Sequence, residues 1–312
     1  MIVVAAVGGN ALLRRGERLG PEVQARNAVA AAASLAPLAG EHSLVITHGN
    51  GPQIGLLALE SGSSGASPAY PLDVVGAESQ RLGGCLLGLA LRNALPDRMV
   101  ATVLGEVLVA SDDPAFRSPT KPIGPFYDRP EAEALAAANG WTMGREGARF
   151  RRLVPSPEPA EILELGAIRA LLAGSVITIS AGGGGVPVVR AEDGRLRGIE
   201  AVVDKDLTAS LLAEAVGADA LLLLTDVSYV FEHWGEQPAG PIREATPEAL
   251  RRLEFASGSM GPKVEAACRF AERTGGVAAI GSLERAPALL AGDAGTRVSR
   301  GGKTLEFWEN KP

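Results

Sequence analysis

The feature that most constrains this chain is the alternation of apolar runs of strand length with segments of helical period. The strand-like runs are MIVVAAV, SLVITH, RMVATVLGEVLVA, SVITISA, ADALLLLTDV and GVAAIGS. Helical segments separate them, and we expect helices over 21–39, 73–95, 161–173, 204–216, 246–256, 262–275 and 284–292. Because such helices cross from one buried strand to the next, the pattern predicts an α/β fold with a mainly parallel sheet covered on both faces.

Three segments interrupt this alternation. Residues 111–155 combine six prolines with a concentration of aromatic side chains and a hairpin-like pair around Gly144 and Gly147, which indicates a subdomain inserted into the main fold. Residues 188–203 predict a hairpin with Asp193-Gly194 at its turn. The composition of Ser61–Pro68 predicts a mobile surface loop.

Composition excludes several classes of protein. The 312 residues are 46% hydrophobic, and the net charge is −6 with a pI of about 5.3, which argues against a disordered chain and against a nucleic-acid partner. Apolar runs of about 18 to 20 residues, which a membrane span needs, do not occur. We read the N-terminus as a first strand and not as a secretory signal. Cys85 and Cys268 are expected to be buried free thiols, in a cytoplasmic protein.

Glycines follow strand after strand. The segments are Gly8-Gly9-Asn10, Gly49-Asn50-Gly51, Gly182–Gly185, and Gly258–Lys263 at a helix start, while Thr225-Asp226 ends another strand. Ligands bind beyond the carboxyl ends of parallel strands, and glycine-rich backbone can cradle an anion there. The sequence therefore predicts a phosphate site at this edge. A dinucleotide GxGxxG is missing after the first strand, and Gly302-Lys303-Thr304 lacks the leading glycine of a Walker A loop.

Lysine is rare in this chain, which has five lysines against 25 arginines. Lys205 and Lys263 each stand at a predicted helix start, where the dipole favours anions, and Lys121 lies in the proline-rich insertion. Asp206 is suited to accept hydrogen bonds from lysine ammonium groups and to orient them. Asp226 should lie at the ligand edge of the sheet. We interpret His48 as structural.

These groups favour phosphoryl transfer, in which catalysis consists of positioning and electrostatic stabilisation. Glycine N–H groups, two lysines at helix starts and an organising aspartate are sufficient for that chemistry. A general base is not needed if the acceptor is already an anion.

With these residues together, the chain resembles the carbamate kinases of the amino-acid kinase family. The stretches that carry the resemblance run from residue 3 to about 270 and include AVGGNALLRRGE, VITHGNGPQIGLLALE, SPTKPIGPFY, SAGGGGVPVV, AVVDKDLTASLLA and SGSMGPKVEAA. The segment KPIGPFY marks this family against relatives that lack the inserted subdomain.

The resemblance implies a three-layer αβα sandwich formed by one domain over 1–312, with a protruding lid subdomain at 111–155, in a homodimer. It implies reversible phosphoryl transfer between carbamoyl phosphate with ADP and carbamate with ATP. Magnesium would be carried by the nucleotide phosphates, without protein side chains as metal ligands. The tail after Val298 extends past where this family usually ends, and loops such as SDDPAFRSP vary.

Residue roles follow from the same resemblance. Lys205 and Lys263 would stabilise the transferring phosphoryl group, Asp206 would organise them, and Lys121 would reach in from the lid. The substrate would be held by Gly8, Gly9, Asn10, Gly49, Asn50, Gly51, Gly182 and Gly183. The nucleotide would be held by Thr225, Asp226, Met260, Gly261, Pro262 and Lys263.

Two alternatives stay open at this stage. The chain could be another amino-acid kinase, acting on acetylglutamate, uridylate or a phosphonate, although a charged lid favours a small charged acceptor. It could also be a non-catalytic sensor that kept the fold, although the three lysines and Asp206 argue against that.

Overall fold

The computed structural model describes residues 1–9, 13, 17, 20–63, 69–232, 240–255 and 260–309. In chain order, the strands of this part are β1 (Ile2–Val7), β2 (Ser43–His48), β3 (Val100–Thr102), β4 (Glu106–Val109), β5 (Lys121–Tyr127), β6 (Thr142–Glu146), β7 (Arg149–Val154), β8 (Pro159–Ile162), β9 (Ile177–Ile179), β10 (Val186–Arg190), β11 (Leu196–Gly198), β12 (Ala220–Thr225), β13 (Val230–Glu232), β14 (Gly240–Ala245), β15 (Val277–Ser282), β16 (Thr296–Val298) and β17 (Leu305–Phe307). The α-helices are α1 (Pro21–Glu41), α2 (Gly51–Ser63), α3 (Leu72–Ala94), α4 (Arg129–Asn139), α5 (Leu165–Ala173), α6 (Lys205–Val216), α7 (Pro247–Leu250), α8 (Met260–Thr274) and α9 (Ala286–Ala291).

A central sheet organises the molecule. Its strand order is β13-β14-β16-β15-β12-β1-β2-β9-β3, with β17 added against β14. The pairs that join β15, β12, β1, β2, β9 and β3 are all parallel, whereas β13, β16 and β17 bring antiparallel pairs to the other end. The prediction of a mainly parallel central sheet is therefore confirmed.

Helices cover both faces of this sheet, as the sequence pattern predicts. In β1, Val3, Ala5 and Val7 face a core shared with α1, α3 and α9. Val4 and Ala6 face the opposite core, which is built with α5, α6 and α8. Strands buried on both faces read as continuous apolar runs because neither face meets water. Together these layers form the expected αβα sandwich.

Two smaller sheets lie outside the central one. The first has the order β11-β10-β4-β8 and contains the β10–β11 hairpin, with Gly194 in the left-handed region at its turn, as predicted. The second, which we call the outer sheet, consists of β5, β7 and β6 and lies with α4 inside the proline-rich segment. Its β6–β7 hairpin turns at Gly147, as predicted. The apolar side chains Ile123 and Val154 of this sheet pack against the body.

Several sequence-based boundaries are wrong. The helix expected over 161–173 begins only at Leu165, because the residues before it form β8 and pair with β4. The helix expected over 246–256 is the short α7. The run RMVATVLGEVLVA divides into β3 and β4, which belong to different sheets. Residues 61–63 of the loop expected at 61–68 instead belong to α2, and residues 64–68 lie outside the described part.

Cys268 is buried, as expected, but Cys85 is exposed, which contradicts its expected burial. Cys85 lies on the solvent side of α3 together with other apolar residues, so its apolar neighbourhood in the sequence does not indicate the core. The tail is ordered through β17, which adds to the central sheet, and the Trp308 indole donates to the Gly295 carbonyl at 3.1 Å. In the described part, none of the helices has the length and apolar character that crossing a membrane requires.

Candidate active site

The carboxyl ends of β1, β2 and β12 meet in backbone-to-backbone contact. The Gly8 N–H donates to the Leu224 carbonyl at 2.8 Å, and the Gly49 N–H donates to the Val7 carbonyl at 2.9 Å. A Cβ at Gly49 would lie 2.6 Å from the Gly9 nitrogen, a distance that side chains do not reach. Glycine is therefore required here, because two loops that follow neighbouring strands come within backbone contact of each other.

The loop at 182–185 closes the same edge. Gly183 has a φ of +66°, and a Cβ there would lie 2.0 Å from the Asn50 side-chain nitrogen. Asn50 is buried, and its amide donates to the Ser79 hydroxyl at 2.6 Å. The hydroxyls of Thr47 and Thr208 donate to the carbonyls of Ala181 and Gly184, each at 2.9 Å. This loop is thereby fixed against both β2 and α6.

Helix α6 begins at the site with Lys205 and Asp206. The Asp206 carboxylate receives the Lys205 ammonium on Oδ1 and the Lys263 ammonium on Oδ2, the latter at 3.1 Å. Lys263 comes from the first turn of α8. The structure thus brings together the two lysines and the aspartate that the sequence singles out, from segments 57 residues apart.

Burial and charge act differently on the two lysines. Burial lowers the pKa of Lys205, against the attraction of Asp206, and the neighbouring Lys263 ammonium lowers it further. Burial also disfavours the charged form of Lys263, but the Asp206 and Asp204 carboxylates outweigh it and raise the pKa of Lys263. Because the Lys205 and Lys263 ammonium groups share the single Asp206 carboxylate, these three side chains together keep a net positive charge that attracts an anion. Preorganised charge of this kind is what a phosphoryl group in transfer requires.

Lys121 reaches the site from β5 of the outer sheet. Its ammonium donates to Asp204 Oδ2 at 2.7 Å, and Asp204 immediately precedes Lys205. Both partners are partly buried, with side chains 25% and 17% exposed. All three lysines singled out in the sequence therefore lie around the start of α6.

The residues expected to serve the nucleotide lie on the neighbouring elements. Thr225 ends β12 beside Gly8, and its hydroxyl donates to the Asp226 carboxylate at 3.1 Å. The Asp226 charge contributes to the raised pKa of Lys263, which ties this loop to the lysine pair. Met260, Gly261 and Pro262 form the first turn of α8 ahead of Lys263.

Three of the residues singled out in the sequence, Asn10, Gly258 and Ser259, lie outside the described residues. Gly51 begins α2 directly after the buried Asn50. The remaining predicted site residues all lie at this one edge of the central sheet.

A protein-held metal centre is not evident in the described residues, where no group of three or more His, Cys, Asp or Glu side chains could hold an ion. Asp204 and Asp206 already accept hydrogen bonds from lysines. Magnesium is ordinarily bound through one or two carboxylates together with substrate phosphates and water. The engagement of both carboxylates by lysine ammonium groups is compatible with a magnesium ion bound mainly through nucleotide phosphates.

His48 lies under the site. Its ring is buried between Gly83 and Gly182, where added Cβ atoms would lie 2.2 and 2.4 Å from ring atoms. Its Nδ1 lies 3.2 Å from the Gly49 carbonyl, and burial lowers the pKa of the ring. A neutral histidine packed against three glycines supports the structural interpretation made from the sequence.

Sequence reasoning misses Asp204, Ser79 and Thr208. Asp204 gives a signal, because an aspartate directly before a helical pattern is a common N-cap. The contact between Asp204 and Lys121, which are 83 residues apart in the chain, leaves no signal in the local sequence. Ser79 and Thr208 stand in ordinary helical patterns, and only the fold shows that they support Asn50 and Gly184.

Comparison with known proteins agrees with this geometry. A model of the amino acid kinase family matches residues 1–282. The carbamate kinase of Haemophilus influenzae is 46% identical over 309 residues, covering 99% of this chain and 100% of its own length. The carbamate kinase of Escherichia coli strain K12 is 49% identical, covering 95% and 99%. The Giardia lamblia carbamate kinase bound to AMP-PNP superposes with a TM-score of 0.87 at 38% identity, covering 96% of this chain and 98% of its own.

The coverage of the Haemophilus relative also corrects one expectation. Because 99% of this chain aligns with it, the tail after Val298 is not an extension beyond the family. The UMP kinase of Bacillus anthracis, at 14% identity and a TM-score of 0.51, shares the fold alone.

Proposed function

The chain belongs to the amino acid kinase family, and on that premise we propose how its site carries out reversible phosphoryl transfer between carbamoyl phosphate with ADP and carbamate with ATP. The observation that carries the proposal is the meeting of three lysines from β5, α6 and α8 at the start of α6, the helix to which the 182–185 loop is bonded through Thr208. The relatives that match nearly the whole chain are carbamate kinases, which identifies the acceptor as carbamate.

In this proposal, the N–H groups of the loops at 8–10, 49–51 and 182–183 bind the phosphoryl oxygens and the small acceptor. Lys205 and Lys263 neutralise the charge that builds on the phosphoryl group, and Asp206 holds both ammonium groups in place. Carbamate is already an anion, so its oxygen attacks without a general base. The protein's task is to hold two anions in line, which fixed cations make possible.

The nucleotide is proposed to lie beside Thr225 and Asp226 and over the first turn of α8, from Met260 to Lys263. A helix N-terminus favours phosphate oxygens through its backbone N–H groups and its dipole. A magnesium ion would enter on the ADP or ATP phosphates and supply further neutralisation of their charge. Asp204 and Asp206 are engaged by lysines, so the groups that would hold the phosphates carrying such an ion are Lys205, Lys263 and the first turn of α8.

Residues 111–155 are proposed to act as a lid on the single domain of residues 1–312. The outer sheet presents Lys121 to the site and packs on the body through Ile123 and Val154. The prolines near Lys121 fix φ and stiffen the strand, so the lysine moves with the whole sheet. A closed lid excludes water from the reacting groups.

The enzyme is further proposed to be a cytoplasmic homodimer. Helix α3 carries Leu82, Cys85 and Leu89 at intervals of three and four residues, which places them on one stripe. All three are exposed, and Leu89 is 58% exposed. A second copy of the chain would cover such a stripe.

The direct test measures ATP formation by the purified protein from carbamoyl phosphate and ADP. We expect ATP to appear in proportion to enzyme concentration. In the opposite direction, ATP should be consumed with carbamate and not with acetylglutamate or uridylate. Absence of turnover with carbamoyl phosphate, or a preference for one of the larger acceptors, would overturn the proposed function.

A further inference from the structure

Asp204 stands where the outer sheet meets the catalytic helix. Its Oδ1 accepts hydrogen bonds from the backbone N–H groups of Asp206 at 2.9 Å and Leu207 at 3.4 Å, which caps α6. Its Oδ2 accepts from the Lys121 ammonium at 2.7 Å. One carboxylate thus binds the start of α6 with one oxygen and the tip of β5 with the other.

The segment around Asp204 is held against the anion-binding loop. A Cβ at Gly184 would lie 2.4 Å from the Val203 carbonyl oxygen, and the Thr208 hydroxyl donates to the Gly184 carbonyl. Asp204 therefore has little freedom to follow Lys121. The lysine must come to the aspartate, which has a position fixed by α6 and by the glycine loop.

Capping alone does not require a carboxylate at this position. Asparagine and serine cap helices about as well as aspartate, because a single neutral oxygen suffices. A charged oxygen for a lysine, in contrast, is supplied only by an acidic side chain. Burial by itself would raise the pKa of Asp204, but the Lys121 and Lys205 ammonium groups outweigh it and hold this pKa well below its usual range. The group is therefore ionised throughout the neutral pH range.

We propose that Asp204 is a positioning residue that fixes the Lys121 ammonium beside the start of α6 when the outer sheet is closed, and so sets the affinity for the carbamoyl end of the substrate. This inference rests on the proposed function and adds to it a residue that acts through Lys121 without being required to touch substrate. It predicts a defect mainly in carbamoyl phosphate use, because Asp204 accepts a hydrogen bond from Lys121, whereas Lys205 and Lys263 donate to Asp206.

The test is the substitution Asp204→Asn, which keeps the volume and the capping oxygen and removes the charge that holds Lys121. We expect the KM for carbamoyl phosphate to rise about tenfold or more, within the range known for misplaced positioning groups. The dissociation constant for ADP, measured by calorimetry, and the melting temperature should stay close to those of the parent enzyme. Asp193→Asn is the matched control, because the exposed Asp193 carboxylate also accepts one backbone N–H and one cationic side chain, both from Arg195, in the β10–β11 turn outside the lid.

A double-mutant cycle with Lys121→Ala separates positioning from a merely structural role. If Asp204 acts through Lys121, adding Asp204→Asn to Lys121→Ala should change the KM for carbamoyl phosphate less than about twofold. An equal tenfold effect in both backgrounds, or an unchanged KM in the single variant, would overturn the inference. A lower KM in Asp204→Asn would also overturn it, because the ion pair would then restrain Lys121 from the substrate. Absence of ATP formation by the parent enzyme would instead count against the proposed function.

Discussion

Lys205 and Lys263 both donate to the Asp206 carboxylate, so one aspartate fixes the positions of both ammonium groups. We predict that Lys205→Ala and Lys263→Ala each lower kcat by about 100-fold or more, the scale for losing one preorganised electrostatic group. Lys→Arg at either position should fail as well, because a planar guanidinium cannot occupy the place of a compact ammonium. Steady-state kinetics of ATP formation measures both effects.

Lys303 provides the control for this pair of substitutions. It is an exposed lysine whose ammonium contacts Glu306 on the tail, so Lys303→Ala should leave kcat unchanged. If Lys205→Ala or Lys263→Ala also retained near-normal turnover, that lysine would have no part in the mechanism.

Asp206 gives a second prediction at the residue scale. Asp206→Asn is close in volume but removes the negative charge that orients two ammonium groups. We expect kcat to fall nearly as far as in the lysine variants, while the circular dichroism spectrum stays native because the surrounding helix and sheet contacts remain. Normal kinetics in this variant would show that the lysines need no such partner, and a chain that fails to fold would show that the role is structural.

At this scale the sequence predicts the charged groups better than their contacts. Two sequence features single out Lys121, Lys205 and Lys263. Lysine is rare in a chain with 25 arginines, and these three lysines have glycine, proline or aspartate neighbours. The pairing of Lys121 with Asp204 could not be predicted, because it depends on how an inserted sheet packs across 83 residues of intervening chain.

At the scale of elements, α2 and β5 meet through two glycines. A Cβ at Gly55 would lie 2.0 Å from the Gly124 Cα and 2.3 Å from its nitrogen, and these backbone atoms cannot turn aside as a flexible side chain would. We predict that Gly55→Ala shifts β5 and with it Lys121, which lies three residues before Gly124. The KM for carbamoyl phosphate should rise by about tenfold or more, on the scale of a misplaced catalytic group, while ADP affinity stays unchanged.

The matched control for Gly55→Ala is Gly166→Ala in α5, where an added Cβ meets nothing within 4 Å. That change should leave kinetics unchanged and stabilise the fold by up to about 1 kcal/mol, the usual gain of alanine over glycine inside a helix. An unchanged KM in Gly55→Ala would mean that the outer sheet adjusts without moving Lys121.

Elements differ in how well local sequence predicts them. The parallel strands β1, β2, β9, β12 and β15 of the central sheet are largely buried on both faces and read as unbroken apolar runs, so their positions along the chain follow from pattern alone. β13, β14, β16 and β17 belong to the same sheet but carry no such run, and local pattern does not predict them. Local pattern does not predict β8 either, because its four residues PAEI carry no strand alternation and are ordered by pairing with β4. The division of the third run into β3 and β4 likewise depends on the second sheet, which local pattern does not reveal.

At the scale of the whole molecule, the fold agrees with membership of the amino acid kinase family. The packing of a single chain does not explain why the apolar stripe of Leu82, Cys85 and Leu89 on α3 is exposed. The apolar neighbours of Cys85 predict a core position, and its exposure beside Leu82 and Leu89 shows that apolar residues on this helix serve two different surfaces. Apolar pattern alone does not tell a core face from a face that a second copy of the chain covers.

We predict that the parent enzyme sediments at twice the 32.1 kDa chain mass and that Leu89→Glu shifts it towards the single-chain mass. A buried, unpaired glutamate on each side of a twofold interface would oppose association twice over, through desolvation and through repulsion. Sedimentation velocity across a dilution series measures the shift. Leu196→Glu is the control. Leu196 is 43% exposed on β11 and lies outside the α3 stripe, so its substitution should leave the mass unchanged. A parent enzyme of single-chain mass, or a Leu89→Glu variant that remains a dimer, would show that this stripe does not form the subunit interface.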